Sequence, residues 1–186
     1  MTDATRVLDG TEVAAASIGG KAYALNQLIA AGASVPPTGA ITTEGYRWFI
    51  HDSGLDAFID DLRSKGPPAP ADLDRALEGV DDAFLEAPMP NDLETEIRQL
   101  AATIGDSGLL AVRSSATAED MAAASFAGQY RSYLEIGDDE SLLRAVRLVW
   151  ASLWSPAPRA YRAHAGVAED DLGMAVVVMR LVAAER

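Results

Sequence analysis

At residues 109–136, LLAVRSSATAEDMAAASFAGQYRSYLEI, the chain changes from helical patterns to two predicted strands with a polar segment between them. Leu109–Arg113 has the length and apolar character of a buried strand, and residues 130–136 predict a second strand. The segment between them begins with Ser114–Ala124, which is rich in Ser, Thr and Ala. Because ligands of α and β proteins meet the ends of strands, this segment is the first place to look for a site.

Helices dominate the rest of the chain. Lys21–Ala31 predicts a helix that stops at Gly32, and the prolines that follow lead into a short strand at Ala40–Ile41. The predicted helix caps are Thr42 or Thr43, Asn91 or Asp92, and Asp138 or Asp139. Apolar spacing predicts further helices over residues 46–50, 55–62, 73–84, 93–104, 142–153 and 159–165, and a third strand over residues 173–182. The sequence therefore predicts a mixed α/β (α+β) fold that is rich in helix and has a small sheet.

The clearest break in the chain is Lys65–Pro70, which reads KGPPAP. Gly and Pro at this density predict a loop or a short linker between helical segments. We take residues 1–186 as one domain, or part of one, with a candidate sub-boundary near residues 65–70.

Composition narrows the class of protein. The chain has 186 residues, 49% of them hydrophobic, which is enough for one domain with a sizeable core or for two small lobes. Its formal net charge of −13 argues against nucleic acid as a partner, because a duplex-binding domain normally carries a basic face. There are no cysteines, and the longest apolar run, Met174–Met179, is far too short to cross a bilayer. We expect a soluble cytoplasmic protein with no membrane partner.

The first candidate site is Gly19-Gly20-Lys21. It opens a predicted helix, whose first-turn amides are donors without helical partners and whose dipole favours an anion. The pattern is not a P-loop, because Ala15 and Ala22 stand where that motif requires Gly and Ser or Thr. Two interpretations stay open: a phosphate site, or a turn followed by a solvated lysine. The three residues alone favour the second.

The second candidate is Arg113, at the end of the predicted strand and before a loop of hydroxyls and carboxylates that includes Thr117. Its guanidinium offers a fork of donors suited to phosphate oxygens. It could equally pair with Glu119 or Asp120 and hold the loop in place. The residues alone do not favour either interpretation.

Ser125–Gln129, SFAGQ, is a third candidate. Gly128 would let the backbone approach a phosphate closely, with Ser125 and Gln129 as donors. A β-bulge or a tight turn into the next strand has the same signature, and without context it is the better interpretation.

Histidine and tryptophan add no site to this set. His51 and His164 form no metal-binding pattern and are predicted to be surface or boundary residues. Trp48, Trp150 and Trp154 are predicted to pack in the core or at its boundary.

Several motifs in one order carry a resemblance to a known family. They are residues 18–50 (IGGKAYALNQLIAAGASVPPTGAITTEGYRWFI), residues 109–136, residues 145–167 (AVRLVWASLWSPAPRAYRAHAGV) and residues 174–182 (MAVVVMRLV). Together they resemble the N-terminal ATP-binding domain of the phosphoenolpyruvate synthase and pyruvate phosphate dikinase family, to which rifampicin phosphotransferase is related. The resemblance covers nearly the whole chain and is weakest between about Leu55 and Leu100.

The resemblance implies the N-terminal portion of an ATP-grasp-like nucleotide-binding domain. In such enzymes ATP, with magnesium, phosphorylates a histidine on a separate domain, and a third domain passes the phosphate to pyruvate or another acceptor. Lys21 and Arg113 match family residues that meet the ATP phosphates, and we count them as the catalytic residues. We count Gly20 and Thr117 with them as ATP-binding residues.

Two further segments match the family's nucleotide contacts. Ser125, Gly128 and Gln129 fall in the loop that covers the phosphates. Met179, Arg180 and Leu181 fall in the strand and hinge that meet the adenine, largely through backbone groups. Met179 replaces the glutamine that the family leads us to expect there, a change that a backbone contact would tolerate.

The resemblance also implies parts beyond Arg186. These are a second lobe with the metal-binding carboxylate, a phosphohistidine domain and an acceptor domain. Neither His51 nor His164 sits in the family's phosphohistidine motif. We therefore expect the ligands of Mg²⁺ to lie beyond Arg186. The chain, as a fragment or a short homologue, is expected not to catalyse the complete reaction alone.

Other classes of function stay open at this point. A stand-alone module that binds nucleotide or a partner protein without turnover would also fit a short chain. A third hypothesis is a degenerate scaffold without a nucleotide site. The presence of both Lys21 and Arg113 argues against it. The phosphate acceptor cannot be read from this sequence.

Overall fold

The computed structural model describes residues 3–106, 108–116, 130–169 and 172–182. Within these ranges the chain forms five strands and seven α-helices, with a short 3-10 helix at Pro70–Asp72. In chain order they are β1 (Thr5–Val7), α1 (Ala15–Ala30), β2 (Thr38–Ile41), α2 (Thr43–Ser53), α3 (Leu55–Lys65), α4 (Leu73–Glu86), α5 (Asn91–Gly105), β3 (Leu110–Ala116), β4 (Ser132–Ile136), α6 (Asp139–Ser152), α7 (Pro156–Ala165) and β5 (Met174–Arg180). The predicted mixed α/β class is confirmed.

The strands form one sheet in the order β1-β2-β5-β3-β4, and every neighbouring pair is antiparallel. The last strand in the chain, β5, therefore lies at the centre. Its residues Met174–Val178 are all buried, because a central strand with both faces covered has no side that meets water. This is why the sequence there is a continuous apolar run rather than an alternating one.

The two faces of the sheet are covered differently. On one face, which we call the α1 face, Ile18 and Ala22 of α1 pack on Ala40 and Val177. The opposite face carries the larger core, to which α2 to α6 contribute. At its centre the ring of Phe49 stacks on Trp150 with centroids 4.9 Å apart. Trp150 and Trp154 are buried, as predicted from the sequence.

Helix ends test the predicted caps. Thr42 Oγ1 accepts a hydrogen bond from the Gly45 N–H at the start of α2, and Asp138 Oδ1 accepts one from the Ser141 N–H at the start of α6. The prediction that Asn91 or Asp92 caps α5 is wrong. The helix already includes Asn91, and Pro90 occupies the cap position without a side-chain hydrogen bond.

The first helix differs from its prediction at one end only. It ends as expected: the Gly32 N–H donates to the Ile29 carbonyl and the Ala33 N–H to the Leu28 carbonyl, with Gly32 at φ 79°. These two bonds are those of a Schellman motif. At the other end α1 begins at Ala15, six residues before the predicted start. The strand β1 was not predicted, because three residues carry too little periodic signal.

The predicted break after Lys65 is present. Helix α3 ends at Lys65, Gly66 takes φ 66°, and the short 3-10 helix follows. Arg159 of α7 ties this end of α3 down, since its Nη2 donates to the carbonyls of Leu62 and Gly66. A domain sub-boundary near residues 65–70 stays a prediction.

Among the described residues, no helix is both long enough and apolar enough to cross a membrane.

The larger core predicts a sharp contrast between two leucines. Leu93 is fully buried in α5, whereas Leu28 on α1 is 49% exposed. Leu93→Ala should lower the free energy of unfolding by about 2–5 kcal/mol, because it removes buried methyl groups and leaves a cavity. Leu28→Ala, the matched control, should stay within about 0.5 kcal/mol of the wild type. Urea unfolding followed by circular dichroism measures both, and equal losses would contradict this core assignment.

Candidate functional site

The first turn of α1 is separated from the rest of the helix by a break at Gly19. This residue has φ 70° and ψ 166°, a combination that only glycine adopts without strain. The break lies against β3: a Cβ added to Gly19 would stand 1.9 Å from the carbonyl oxygen of Ser115. Lys21 therefore stands near the start of the second helical segment, as the sequence predicted, although the helix as a whole begins earlier.

Ser115 of β3 bonds the break on both sides. Its Oγ donates to the Ile18 carbonyl oxygen at 2.8 Å and accepts from the Ala22 N–H at 3.0 Å. The side chain is fully buried, and alternation along β3 places it on the α1 face. The sequence predicted that the first-turn amides of this helix could bind an anion. One of them, the Ala22 N–H, is instead bonded to Ser115 within the protein.

Lys21 reaches β3 through its side chain. Its Nζ donates to the carbonyl oxygen of Ser114 at 2.6 Å, across 93 positions of the sequence. The side chain is half-buried rather than fully solvated. The hydrogen bond fixes the ammonium beside the residue that follows Arg113 in the strand.

Arg113 stands on the same face of the sheet. It pairs with Val177 of β5 and Ser132 of β4, and Val177 is one of the residues that α1 covers. Unlike its neighbours in β3, Arg113 is exposed. The fold thus brings Lys21 and Arg113 together on the α1 face. The alternative pairing of Arg113 with Glu119 or Asp120 concerns residues outside the described ranges.

The end of β5 is the third part of the candidate site. Met179 lies on the α1 face opposite Ala111, and Arg180 lies opposite Leu110. The Arg180 N–H donates to the Pro37 carbonyl and the Leu181 N–H to the Leu109 carbonyl, at 2.9 and 2.8 Å. Both amides are therefore committed to the sheet. A base held here by backbone groups would meet the carbonyl oxygens of these residues or the N–H of Val182.

The register of the sheet relates these parts. Arg113 is three residues from Leu110, which pairs with Arg180, so the two positions are about 10 Å apart along the strand. The candidate cations and the candidate hinge lie at different points along one strand pair. An elongated ligand could contact both.

Four predicted site residues cannot be placed. Thr117, Ser125, Gly128 and Gln129 lie outside the described residues. Their proposed contacts to phosphate stay predictions.

A second polar cluster lies away from the α1 face. Trp154 Nε1 donates to the Tyr46 hydroxyl at 2.7 Å, and burial raises the pKa of Tyr46 well above its usual range. Arg162 is fully buried and donates from Nε and Nη2 to Glu169 at 3.0 and 2.8 Å. The first contact joins α2 to the turn that precedes α7, and the second joins α7 to the loop that follows it, so we assign the cluster to structure.

The histidines behave as predicted. Both are exposed, although His51 has a neighbour that the sequence did not indicate, Asp56, at 3.5 Å from Nδ1. Across the part of the chain that the structure describes, no group of three or more His, Asp or Glu side chains is placed to hold a metal ion.

Two residues of this site were missed by sequence reasoning, Ser114 and Ser115. Both lie in a Ser-rich segment, and nothing in their spacing separates them from the serines of an ordinary loop. The structure extends the predicted strand from Arg113 to Ala116, so these serines belong to a buried strand. Only the packing of α1 on β3 shows their partners.

Comparisons with known proteins show the family of the chain. The family described as the pyruvate phosphate dikinase AMP/ATP-binding domain matches residues 15–186. A phosphoenolpyruvate synthase of Aeropyrum pernix is 37% identical over 172 residues, which are 89% of this chain and 21% of that protein. The prodigiosin synthesizing transferase PigC of Serratia marcescens is 38% identical over 162 residues, 87% of this chain and 17% of that protein.

A rifampicin phosphotransferase of Streptomyces sviceus is 34% identical over 177 residues, 94% of this chain and 20% of that protein. The chain thus spans about a fifth of the length of these relatives.

Gly19 predicts a test of the contact between α1 and β3. Gly19→Ala should lower the free energy of unfolding by about 3 kcal/mol or more, since backbone strain adds to a collision with the Ser115 carbonyl. Gly32→Ala is the matched control, because Gly32 also has a positive φ but no atom within 4 Å of an added Cβ. It should lose only about 1 kcal/mol, from strain alone. Urea unfolding separates the two, and equal losses would mean that α1 does not approach β3 this closely.

Proposed function

Because the chain belongs to the pyruvate phosphate dikinase AMP/ATP-binding domain family, we propose that it is the ATP-binding part of a phosphotransferase. The observation that carries the proposal is the placement of Lys21 and Arg113 on one face of the sheet. Phosphoryl transfer depends on positioned positive charges that stabilise the charge on the transferring group. The two residues supply such charges from different elements.

The two cations suit different roles. The Arg113 guanidinium is exposed and planar, and it can donate two parallel hydrogen bonds to phosphate oxygens. The Lys21 ammonium is a compact positive charge, and its hydrogen bond to the Ser114 carbonyl fixes its position. We propose that Arg113 binds a phosphate group through paired hydrogen bonds and that Lys21 provides a positive charge beside it. Gly20, next to the break, would let the backbone come close to the same group.

The adenine is assigned to the end of β5. Met179, Arg180 and Leu181 form its expected hinge, and the carbonyl oxygens at this position can accept from an exocyclic amine. The N–H groups of Arg180 and Leu181 are already bonded to Pro37 and Leu109. We therefore assign the contact with the base to the next N–H along the chain, that of Val182.

The complete reaction extends beyond these residues. We propose that the phosphate passes from ATP to a histidine on another domain, and from there to pyruvate or a related acceptor. The relatives named above differ in their products, so the acceptor is set outside the segment they share with this chain. The matched segment makes up only about a fifth of each relative, which supports this interpretation over a stand-alone module without turnover.

Magnesium is expected with ATP in such an enzyme. Among the described residues, no group of three or more His, Asp or Glu side chains is placed to hold a metal ion. The proposal therefore assigns no metal ligand to them, and Lys21 and Arg113 act on the phosphates directly.

Titration of Mg-ATP into the folded chain, followed by calorimetry, tests the proposal. Lys21→Ala and Arg113→Ala should each weaken binding by about tenfold or more, because each removes a charge-assisted hydrogen bond of about 1.5–3 kcal/mol. The matched controls are Lys65→Ala and Arg144→Ala, which remove exposed cations of α3 and α6. They should bind like the wild type. Unchanged binding in both site variants, or equal losses in the controls, would contradict the proposal.

A further inference from the structure

The break in α1 is maintained by a side chain from another element. In an uninterrupted helix the Ala22 N–H would donate directly to the Ile18 carbonyl, four residues earlier. Here the Ser115 hydroxyl stands between the two groups, accepting from one and donating to the other. A hydroxyl has one donor and two acceptor sites, so a single oxygen can do both. Insertion of a side chain into the helical ladder is a recognised cause of a sharp kink.

Gly19 makes the insertion sterically possible. Its backbone lies so close to β3 that a Cβ would stand 2.6 Å from the Ser115 Oγ and 2.5 Å from the Ser115 carbonyl carbon. The break, the missing Cβ and the serine hydroxyl thus form one local arrangement. Lys21 lies two residues past Gly19, and its Nζ bonds to the carbonyl of Ser114, the residue before Ser115.

We propose that Ser115 is a positioning residue for Lys21: by holding α1 open at Gly19, its hydroxyl sets the direction in which the second helical segment leaves β3, and so the place of the Lys21 ammonium. The consequence for ATP rests on the proposed function. The consequence for the geometry of Lys21 does not.

Removal of the hydroxyl leaves two outcomes for the backbone. The Ile18 carbonyl and the Ala22 N–H can stay apart, buried and without their partner, which is costly. Alternatively the ladder closes, and Gly19 moves toward helical angles. Closure rotates the segment that carries Lys21 relative to β3, and the 2.6 Å contact to Ser114 is then lost.

The effect on ligand binding should be selective. Lys21 is assigned to the phosphates, whereas the adenine is assigned to the distant end of β5. Misplacing Lys21 should therefore weaken ATP and leave adenosine unaffected. General damage to the fold would weaken both.

The test uses Ser115→Ala, Ser115→Thr, Lys21→Ala and the double variant of Ser115→Ala with Lys21→Ala, titrated with Mg-ATP and with adenosine. The matched control is Ser152→Ala, another buried serine, in α6 on the opposite side of the sheet from α1; its Oγ donates to the Val149 carbonyl at 2.6 Å and accepts from the Arg131 N–H at 3.5 Å. Ser115→Ala should weaken ATP about tenfold with adenosine unchanged, and Ser115→Thr, which keeps the hydroxyl, should restore most of the affinity. Ser152→Ala should leave both ligands unchanged.

The double variant separates positioning from a direct contact. If Ser115 acts through Lys21, Ser115→Ala should cause no further loss once Lys21 is alanine. If Lys21→Ala itself weakens ATP binding, three results would each overturn the proposal: losses that multiply, equal losses for ATP and adenosine, or ATP binding by Ser115→Ala that matches the wild type.

A measurement without ligand keeps this inference separate from the proposed function. The Lys21 ammonium protons, hydrogen-bonded to Ser114, should exchange with water faster in Ser115→Ala than in the wild type or Ser152→Ala, as seen by NMR. An unchanged exchange rate would overturn the positioning role. Faster exchange, together with ATP binding that Lys21→Ala leaves unaltered, would keep the positioning role and remove the phosphate assignment instead.

Discussion

The candidate site depends on the close approach of α1 to β3, where Gly19 lies against the Ser115 carbonyl. No residue with a Cβ fits there without displacing the strand or the helix. The contact also fixes the distance between two segments that are almost a hundred residues apart in sequence. When α1 packs on β3, the Lys21 ammonium donates to the carbonyl of Ser114, and Arg113 is the residue that precedes Ser114 in the strand. The two cations come together because a glycine permits a backbone contact.

The packing of the sheet stabilises this contact between α1 and β3. Its central strand β5 is buried along most of its length and pairs with β2 on one side and β3 on the other. The larger core on the opposite face, built around Phe49 and Trp150, holds the strands that α1 rests on. Distortion at the α1 face would therefore have to move a well-packed layer, and packed interiors resist such changes.

The helices and most strands could be predicted because each carries its own signal. Residues 73–84 and 93–104 have apolar residues at helical spacing, and Thr42 and Asp138 cap as their positions indicated. Asn91 did not, because a cap depends on where the backbone becomes helical, and the helix there starts one residue earlier than a cap would require. The break at Gly19 could not be predicted, since the glycine pair fits an ordinary turn equally well.

The candidate site was also predictable only in part. The candidate roles of Lys21 and Arg113 came from the resemblance to a family, and the residues alone left them undecided. Their placement on one face follows from strand register and from α1 packing, which are long-range properties. The role of Ser115 could not be predicted for the same reason, because its two hydrogen-bond partners lie 93 and 97 residues away in the sequence. Local sequence patterns predict helices and strands, whereas the contacts between these elements can be identified only from the folded structure.

The electrostatics of the chain give the placement of Lys21 its significance. With a formal net charge of −13, the protein as a whole repels a polyphosphate, so attraction has to come from cations held at one point. The two lysines are held by different kinds of group. Lys65 is exposed at the end of α3, and its Nζ lies 2.6 Å from the carboxylate of Asp61 on the same helix. Lys21 instead donates a hydrogen bond to a backbone carbonyl of another element, that of Ser114 in β3, which orients the ammonium. Because this partner is a backbone carbonyl, substitution of the Ser114 side chain would not remove it, so the strand itself orients the ammonium.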